Sequence, residues 1–379
     1  MQVAERDRNN MEKQKLAKQI QMVENFALDG TITGMCEYGS GHINGTYLVQ
    51  MEQNGKQEKY IFQQINTDIF KDADQLMENI TGVTSFLKKK IEERGGNPNR
   101  ETLQVVPTRD GKSFYRDADG TCYRMYIFIT DATSYDVVES PKDFYESAVA
   151  FGNFQSLLAE YPAETLHETI PNFHNTKKRF GDFCQAVKED VCGRAASVQK
   201  EIAFVMEREK EMDCLTKLMD AKELPVRVTH NDTKLNNIMI DNESGKGICV
   251  IDLDTVMPGL SLYDFGDSIR FGANTAAEDE TDLSKVSLST DLYEIYVKGY
   301  LEGCKGSLTE LETQLLPVGA KMMTLECGMR FLADYLQGDV YFRTHREHHN
   351  LDRCRTQFAL VKDMEDKWDE MNAIVKKYC

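Results

Sequence analysis

Residues 228–240 read Val-Thr-His-Asn-Asp-Thr-Lys-Leu-Asn-Asn-Ile-Met-Ile, and residues 250–254 read Val-Ile-Asp-Leu-Asp. The apolar residues in both stretches predict short buried strands, and the polar residues between them predict a loop. The first strand delivers His230 and Asp232 to this loop, and Asn237 follows five residues after Asp232. Asp252 ends the next strand, so we expect these polar side chains to lie together.

This spacing meets the chemical needs of phosphoryl transfer from ATP. The reaction requires a carboxylate that accepts the proton of the attacking hydroxyl, and oxygen ligands that hold Mg²⁺ on the phosphates. Kinase catalytic loops place a His, an Asp and an Asn at this spacing, with a further Asp on the next hairpin. We therefore predict Asp232 as the catalytic base, Asn237 and Asp252 as metal ligands, and His230 as the residue that fixes the loop backbone. Each residue alone would be typical of a polar turn, and only the joint pattern favours a kinase.

A glycine-rich turn lies upstream, between strands predicted at Thr31–Tyr38 and Thr46–Glu52. It begins Gly39-Ser40-Gly41-His42 and ends at Gly45. Glycines in such a turn let backbone N–H groups approach phosphate oxygens closely. Alone, the turn would be an ordinary hairpin, since it is one residue longer than the protein-kinase loop. Beside the catalytic motif, we expect it to cover phosphates or substrate.

The strand after this turn lacks the lysine that kinases place there. Residues 60–65 read Tyr-Ile-Phe-Gln-Gln-Ile, and the neutral Gln63 is the closest match in register. Glu78, on a helix predicted over Asp72–Arg94, would then have no lysine opposite it. We expect either hydrogen bonds from Gln63 itself or a cation from elsewhere, with Lys71 and Lys234 as candidates.

The rest of the chain separates into a strand-rich part and a helical part. Further strands are predicted at Lys59–Ile65, Thr102–Pro107 and Tyr123–Thr130, whereas helical periodicity dominates after Asp131. Long helices are predicted after this point at Lys142–Glu160 and Ala195–Ala221.

We therefore predict an α+β, protein-kinase-like two-lobe fold with a cleft between the lobes. The small β-rich N-lobe would comprise residues 1–130, and the larger, mostly helical C-lobe would comprise residues 131–379. Adenine would sit against the linker near Phe128–Asp131.

Length and charge limit the class of protein. A chain of 379 residues exceeds one usual core, which favours two domains. The formal net charge of −17 argues against a surface for nucleic acid or an anionic membrane. The apolar runs are too short to span a bilayer, and the first thirty residues lack a signal-peptide core. The ten cysteines are scattered without a Cys-x-x-Cys pair, so we expect reduced thiols and a cytoplasmic location.

The motifs resemble those of the aminoglycoside-phosphotransferase-like and choline-kinase-like small-molecule kinases. The resemblance rests on Gly39–Asn44, on Thr229–Asn237, and on Cys249–Gly259 running into Tyr263–Gly272. It spans essentially the whole chain. The last of these stretches resembles most closely the branch that phosphorylates the anomeric hydroxyl of N-acetylglucosamine and N-acetylgalactosamine with ATP and Mg²⁺.

The resemblance implies a role for each matching position. Asp232 would be the base, Asn237 and Asp252 would face metal and phosphates, and Asp254 would assist them. The implied nucleotide contacts are Gly39, Ser40, Gly41, Gln63 and Phe128. The implied sugar contacts are His42, Asp252, Phe271, Arg330 and Tyr341. Trp368, the single tryptophan, is either a half-buried helix residue or a further pocket wall, and we include it among the substrate-binding candidates.

Two other readings stay open at this point. A kinase of the same fold acting on an aminoglycoside, choline or homoserine would keep the mechanism and change the acceptor. A cationic acceptor would need an acidic pocket, which Glu278-Asp279-Glu280 could supply. An ATP-binding pseudokinase is the other reading, and the neutral Gln63 is its best support.

Overall fold

The computed structural model describes residues 16–39, 43–135 and 140–379. The chain divides into two compact units, Met1–Asp131 and Ala132–Cys379. The first unit is built on a β-sheet and the second is mostly helical. The predicted α+β class is therefore confirmed.

The N-terminal unit is organised around one antiparallel sheet. Its strands lie in the order β1 (Thr31–Glu37), β2 (Gly45–Gln53), β3 (Lys56–Gln64), β5 (Cys122–Ile127) and β4 (Tyr115–Arg116). Asn54 and Gly55 join β2 to β3 with φ angles of 51° and 75°, the left-handed pair that a two-residue hairpin turn requires. The elements of this unit are a helical segment over residues 16–23, β1 (Thr31–Glu37), β2 (Gly45–Gln53), β3 (Lys56–Gln64), α1 (Ala73–Glu93), α2 (Pro98–Glu101), β4 (Tyr115–Arg116) and β5 (Cys122–Ile127).

The two faces of this sheet differ in chemistry because side chains alternate along each strand. One face carries the apolar core, in which Phe62 packs with Tyr123 and with Phe26 from the N-terminal segment. Gln63 and Arg124 immediately follow two of these core residues, so they belong to the opposite face. The sheet thus has one apolar face and one face with polar positions.

One strand prediction is wrong. Residues 102–107 form no strand and share only the single bridge Val105–Tyr126 with β5. Pro107 has no N–H to extend the pairing. The short strand Tyr115–Arg116 pairs with β5 instead.

The C-terminal unit holds two small antiparallel sheets among many helices. In one sheet β10 (Met257–Gly259) pairs with β7 (Arg227–Thr229). In the other, β8 (Ile238–Asp241) lies between β6 (Ala132–Thr133) and β9 (Gly247–Val250). The elements of this unit are β6 (Ala132–Thr133), α3 (Pro141–Leu157), α4 (Thr176–Glu189), α5 (Gln199–Met206), α6 (Cys214–Asp220), β7 (Arg227–Thr229), β8 (Ile238–Asp241), β9 (Gly247–Val250), β10 (Met257–Gly259), α7 (Ser261–Gly272), α8 (Thr290–Cys304), α9 (Glu310–Gln314), α10 (Leu316–Gln337), α11 (His349–Asp366) and α12 (Trp368–Tyr378).

Two features of these helices do not follow from the spacing of apolar residues. The stretch predicted as one helix over Ala195–Ala221 is broken into α5 and α6, with a 3₁₀ turn at Glu209–Glu211 between them. Helices α7 and α10 pack closely through glycines, since a Cβ on Gly266 would lie 2.3 Å from the carbonyl oxygen of Gly319. This close approach leaves no room for a side chain at Gly266.

Candidate active site

The catalytic-loop candidate begins directly after β7. Its His230 is fully buried, with Nε2 2.8 Å from the carbonyl oxygen of Ile251. The backbone N–H of Asp232 lies 3.3 Å from His230 Nδ1, so Nδ1 accepts and Nε2–H donates. His230 therefore ties the loop to the end of the β8–β9 hairpin and fixes the backbone of Asp232.

A second buried residue holds the loop from α7. The Asp264 carboxylate accepts hydrogen bonds from the backbone N–H groups of His230 (2.9 Å) and Asn231 (2.8 Å). It also accepts one from the side chain of Gln155 (2.9 Å). Burial raises the pKa of Asp264, and these three donors act against that rise. Our sequence analysis assigned Asp264 no role, although it stands in the Tyr263–Gly272 stretch that carried the resemblance.

The Asp232 carboxylate is held from both sides. Lys234 Nζ lies 2.8 Å from one oxygen, and Asn237 Nδ2 lies 3.1 Å from the other. Asn237 Nδ2 also donates to the Asp232 backbone carbonyl at 2.8 Å. Burial opposes the charge of Lys234, but the Asp232 carboxylate raises its pKa above the ordinary value. Asp232 thus has a fixed orientation and a cation beside it.

The three residues predicted to hold Mg²⁺ flank the β8–β9 hairpin. The Ile251 N–H donates to the Asn237 backbone carbonyl at 2.9 Å. Asp252 is the next residue after Ile251, so its backbone lies close to that of Asn237. Because the Asn237 Nδ2 group faces Asp232, its amide oxygen is turned away from that carboxylate. Asp252 is exposed and Asp254 is buried one turn further on.

This donor set is of the type that binds a Mg²⁺ ion carried by a nucleotide. No group of three or more His, Cys, Asp or Glu side chains in the described parts of the chain could hold a metal ion. Mg²⁺ in phosphoryl-transfer sites takes one or two protein carboxylates and completes its shell with phosphates and water. Asn237, Asp252 and Asp254 supply that number and type of oxygen ligand.

A network of ion pairs, formed by Asp267, Arg270 and Glu278, lies next to the loop. The Asp267 carboxylate accepts from the Thr233 N–H at 3.0 Å and pairs with Arg270 at 2.7 Å. Burial alone would raise the pKa of Asp267, but Arg270 and Lys234 outweigh it and hold the pKa below its usual range. Arg270 also pairs with Glu278 at 2.8 Å.

Arg330, on α10, lies within an aromatic enclosure. Its guanidinium carbon is 5.5 Å from the Phe173 ring centre, 5.7 Å from that of Tyr341 and 5.4 Å from that of Phe342. The buried Asp334 carboxylate accepts from the backbone N–H groups of Val340, Tyr341 and Phe342, and so shapes the loop that presents these rings. The structure therefore brings Arg330 and Tyr341 together, and adds Phe173 and Phe342 to them.

A second guanidinium, that of Arg179, stands near Arg330. Burial lowers the pKa of Arg179, and the charge of Arg330 acts in the same direction. Arg179 donates to the Phe173 carbonyl, at 3.3 Å from Nε and 3.2 Å from Nη2. In the described part of the chain, neither guanidinium forms an ion pair with a carboxylate. The nearby Glu326 is already bonded to His174 and Thr176.

The other candidate sugar contacts of this unit, Phe271 and Trp368, have different surroundings. Phe271 is half-buried in the last turn of α7, directly after Arg270. Trp368 is half-buried with Lys321 5.6 Å from its ring centre. Lys321 precedes Arg330 by nine residues on α10, about 13 Å along the helix. The structure therefore places Trp368 against Lys321 and not in the enclosure around Arg330.

The nucleotide candidates lie in the N-terminal unit. Gly39 is exposed with φ of 80°, a conformation that favours glycine. Phe128 is half-buried between Tyr38, 5.8 Å away edge to face, and Lys59, 5.6 Å from its ring centre. Gln63 bonds to Thr46 and Arg124. Ser40, Gly41 and His42 lie outside the described residues.

A loop with an oriented aspartate, followed by a hairpin and two further aspartates, is the arrangement typical of protein-kinase-like phosphotransferases. Solved structures with this fold are similar over nearly the whole chain. A microcompartment-associated aminopropanol kinase is 16% identical, covers 93% of this chain and 97% of its own, and gives a TM-score of 0.59. A choline kinase of Cryptosporidium parvum is 12% identical, with coverages of 91% and 92% and a TM-score of 0.55. A spectinomycin phosphotransferase solved with ADP and spectinomycin is 14% identical, with coverages of 96% and 96% and a TM-score of 0.51.

Residues 35–287 match the family model described as the APH phosphotransferase enzyme family. The chain belongs to this family, which confirms the family-level resemblance seen in the motifs. The predicted kinase-like fold is confirmed as well, since the similarities to solved structures extend over both units. In the described residues, no helix is long and apolar enough to cross a membrane.

Proposed function

We propose that this protein is an N-acetylhexosamine 1-kinase, which transfers the γ-phosphoryl group of ATP to the anomeric hydroxyl of N-acetylglucosamine or N-acetylgalactosamine. The observation that carries the catalytic part is Asp232, oriented by Lys234 and Asn237 on a loop fixed by buried hydrogen bonds. Asp232 accepts the proton of the C1 hydroxyl. The O1–phosphorus bond forms as the bond from the γ-phosphorus to the bridging oxygen breaks, and ADP leaves.

The nucleotide and metal are assigned by residue type and position. When bound, Mg²⁺ would neutralise phosphate charge, and Asn237, Asp252 and Asp254 are its proposed ligands. Lys234 keeps Asp232 oriented and adds a positive charge beside it. The proposed contacts to ATP in the N-terminal unit are Gly39, Ser40, Gly41, Gln63 and Phe128. The ADP bound by the spectinomycin phosphotransferase supports an adenine nucleotide here.

The acceptor is proposed from the charges near Arg330. Arg179 and Arg330 form no close ion pair in the described residues, although the carboxylates of Glu326 and Asp182 act on Arg179 from further away. The two guanidinium groups would disfavour a cationic acceptor placed beside them. A neutral sugar offers hydroxyl and acetamido oxygens to these guanidinium groups, and Tyr341 offers a ring face. The other proposed sugar contacts are His42, Asp252 and Phe271. Trp368 is not among them, because it lies against Lys321.

The acidic stretch that could have served an amine acceptor is already neutralised by neighbouring cations. Glu278 pairs with Arg270 at 2.8 Å, and Asp279 pairs with Arg346 at 3.4 Å. Glu280 pairs with Lys285 at 3.3 Å. These carboxylates are engaged, which favours the neutral sugar over the amino alcohols that the aminopropanol and choline kinases are named for.

The test is an ADP-release assay with Mg·ATP across N-acetylhexosamines, unmodified hexoses, glucosamine, choline, homoserine and kanamycin. We expect turnover with the N-acetylhexosamines and loss of reducing-end reactivity in the product, which reports phosphorylation at O1. Turnover only with amine-bearing acceptors would replace the substrate and keep the kinase. ATP binding without turnover of any acceptor would support the pseudokinase reading.

A further inference from the structure

Two carboxylates act on the ammonium group of Lys234. Its Nζ lies 2.8 Å from Asp232, the proposed base. The other carboxylate is that of Asp267 on α7, which accepts the N–H of Thr233, the residue between Asp232 and Lys234, at 3.0 Å. Burial acts against the charge of Lys234, and the charges of Asp232 and Asp267 together raise its pKa above the ordinary value. The orientation of Asp232 therefore depends on which carboxylate Lys234 pairs with.

Arg270 already occupies the carboxylate of Asp267. Its Nη2 and Nε donate to Asp267 Oδ1 at 2.7 and 3.1 Å, and Asp267 Oδ2 accepts from the Thr233 N–H. The side chains of Arg270 and Asp267 are only 8% and 10% exposed, so water does not replace these bonds. Because both oxygens of Asp267 are bonded, Lys234 is left to pair with the proposed base.

The guanidinium of Arg270 is held in one orientation. Its Nη1 donates to Glu278 at 2.8 Å, and Glu278 in turn lies 3.7 Å from Arg353. A buried ion pair adds little stability compared with apolar residues of similar volume, because removing the charges from water costs about as much as their attraction returns. The burial of Arg270 and Asp267 is therefore poorly explained by stability alone, which favours a role in the neighbouring site.

The backbone of the loop is held by α7 independently of Arg270. Thr233 Oγ1 donates to the Asp264 backbone carbonyl at 2.6 Å, and Ser268 Oγ donates to the Thr233 carbonyl at 2.9 Å. These two bonds do not involve the Asp267 carboxylate. We therefore expect loss of Arg270 to change the pairing of side chains more than the course of the loop.

Lys234 is the cation that can replace Arg270. The charges that act on Asp267 are those of Arg270, Lys234 and His174. His174 is already held by the carboxylate of Glu326, 2.8 Å from its Nδ1. A buried carboxylate without a partner is strongly unfavourable, so Asp267 without Arg270 would draw the flexible side chain of Lys234 to itself.

We propose that Arg270 is a positioning residue for phosphoryl transfer. By pairing with Asp267, it leaves Lys234 on Asp232, and the base thus keeps its orientation toward the acceptor hydroxyl. Arg270 acts through these side chains and does not itself contact the reacting atoms. This inference rests on the proposed role of Asp232 and is independent of which acceptor is phosphorylated.

The test measures kcat and the KM for ATP of the full-length protein, with an acceptor that the wild type phosphorylates. In Arg270→Met we expect kcat to fall by roughly ten- to a hundredfold, the effect of a misplaced catalytic group, while the KM for ATP changes less than about threefold. Arg208→Met is the matched control. Arg208 is 12% exposed and pairs with Glu365 at 2.7 Å, and it contacts no loop residue in the described parts of the chain. Both variants should unfold at a lower temperature, but only Arg270→Met should lose kcat.

A double variant separates positioning from support of the fold. Asp267→Asn removes the charge that draws Lys234 away and keeps an oxygen for the Thr233 N–H. Asp267→Asn combined with Arg270→Met should therefore turn over faster than Arg270→Met alone, and within about threefold of Asp267→Asn alone. Should Arg270→Met fail to fold, Arg270→Gln takes its place in both comparisons, since its amide still donates to Asp267 but carries no charge.

The outcomes separate this inference from the proposed function. A kcat within about twofold of wild type in folded Arg270→Met would overturn the inference, and so would a double variant in which the two losses simply add. An equal loss of kcat in Arg208→Met would also overturn it, since it would indicate general destabilisation. If only an amine-bearing acceptor is phosphorylated, the proposed sugar fails and the same variants decide this inference with that acceptor. A wild type that phosphorylates no acceptor would overturn the proposed function and this inference together.

Discussion

Asn231 and Asp252 both adopt the left-handed backbone conformation, with φ angles of 64° and 57°. This conformation costs a typical L-residue roughly 1–2 kcal/mol, and asparagine and aspartate tolerate it best. The first of these residues directly precedes Asp232, and the second is itself a proposed metal ligand. Backbone strain is thus held beside the proposed base Asp232 and at the proposed metal ligand Asp252. Asp264 and His230 supply hydrogen bonds that hold these segments in place.

The role of Asp232 is tested by Asp232→Asn. The amide keeps the shape and can still bond to Lys234 or Asn237, but it cannot accept a proton. We expect kcat to fall by at least ~10²-fold, with the KM for ATP little changed. Steady-state kinetics measure both, with Asp220→Asn, an exposed change at the end of α6, as control. Turnover close to wild type in Asp232→Asn would remove this residue from the mechanism.

Asp264→Asn tests whether the loop is positioned from α7. Asparagine has one acceptor oxygen, so its amide N–H₂ would face one of the two backbone N–H groups that the carboxylate now accepts. We expect the free energy of unfolding to fall by about 1–3 kcal/mol and kcat to fall at least roughly tenfold. Thermal unfolding and kinetics on the same sample measure the two effects. A destabilised variant with unchanged kcat would show that Asp264 supports the fold but does not position the loop.

At the scale of elements, α9 is fastened to β7 by one carboxylate. Glu312 pairs with Arg227 at 2.5 Å, accepts from Ser261 at 2.7 Å, and completes a capping box with Thr309. Its side chain is 1% exposed. Burial opposes its charge, but these partners outweigh burial and hold the pKa of Glu312 below its usual range. A short helix of this kind depends on such tertiary bonds, because its own hydrogen bonds are too few.

Glu312→Gln should therefore lower the free energy of unfolding by about 3 kcal/mol at pH 7, since it leaves Arg227 buried without its partner. A carboxyl with a lowered folded-state pKa stabilises fully above its unfolded-state pKa of about 4.3, and this contribution is lost as pH falls through the folded-state value. The difference between variant and wild type should thus shrink below about pH 4. Urea unfolding at pH 7 and below about pH 4 measures this difference, with the exposed Glu310→Gln as control. A difference that stays constant with pH would rule out the charge of Glu312 as its source.

At the scale of the whole molecule, burial sorts the cysteines. All ten are free thiols, and Cys36, Cys192 and Cys379 are exposed. Cys122, Cys249, Cys304 and Cys354 are buried. Burial raises the pKa of the Cys327 thiol to about 11, which suppresses the reactive thiolate.

A thiol-reactive dye should therefore label the three exposed cysteines first in the native protein, and all ten after denaturation without reductant. Mass spectrometry of the labelled peptides identifies the sites. Fewer than ten labelled thiols in the denatured sample would reveal a disulfide and would contradict the expectation of a reducing compartment.

Prediction from sequence succeeded where a local pattern of residues determines the structure. The β2–β3 hairpin followed from Asn54-Gly55, and the α1 helix followed from its apolar periodicity. It failed for residues 102–107, where an apolar run beside a proline gives only one bridge. It also failed for the long helix over Ala195–Ala221, because propensity does not decide where tertiary packing interrupts a helix.

The sequence by itself determined the α+β class and the family. It also determined the spacing of Asp232, Asn237 and Asp252, because these residues lie within one loop and one hairpin. Only the tertiary structure decided what surrounds them. Asp264 reaches the loop from 33 residues away, and Arg124 reaches Gln63 from 61 residues away. The engagement of Glu278 by Arg270 likewise depends on which side chains meet in the folded unit. Such contacts are set by how helices and strands pack, and no local pattern of residues encodes them.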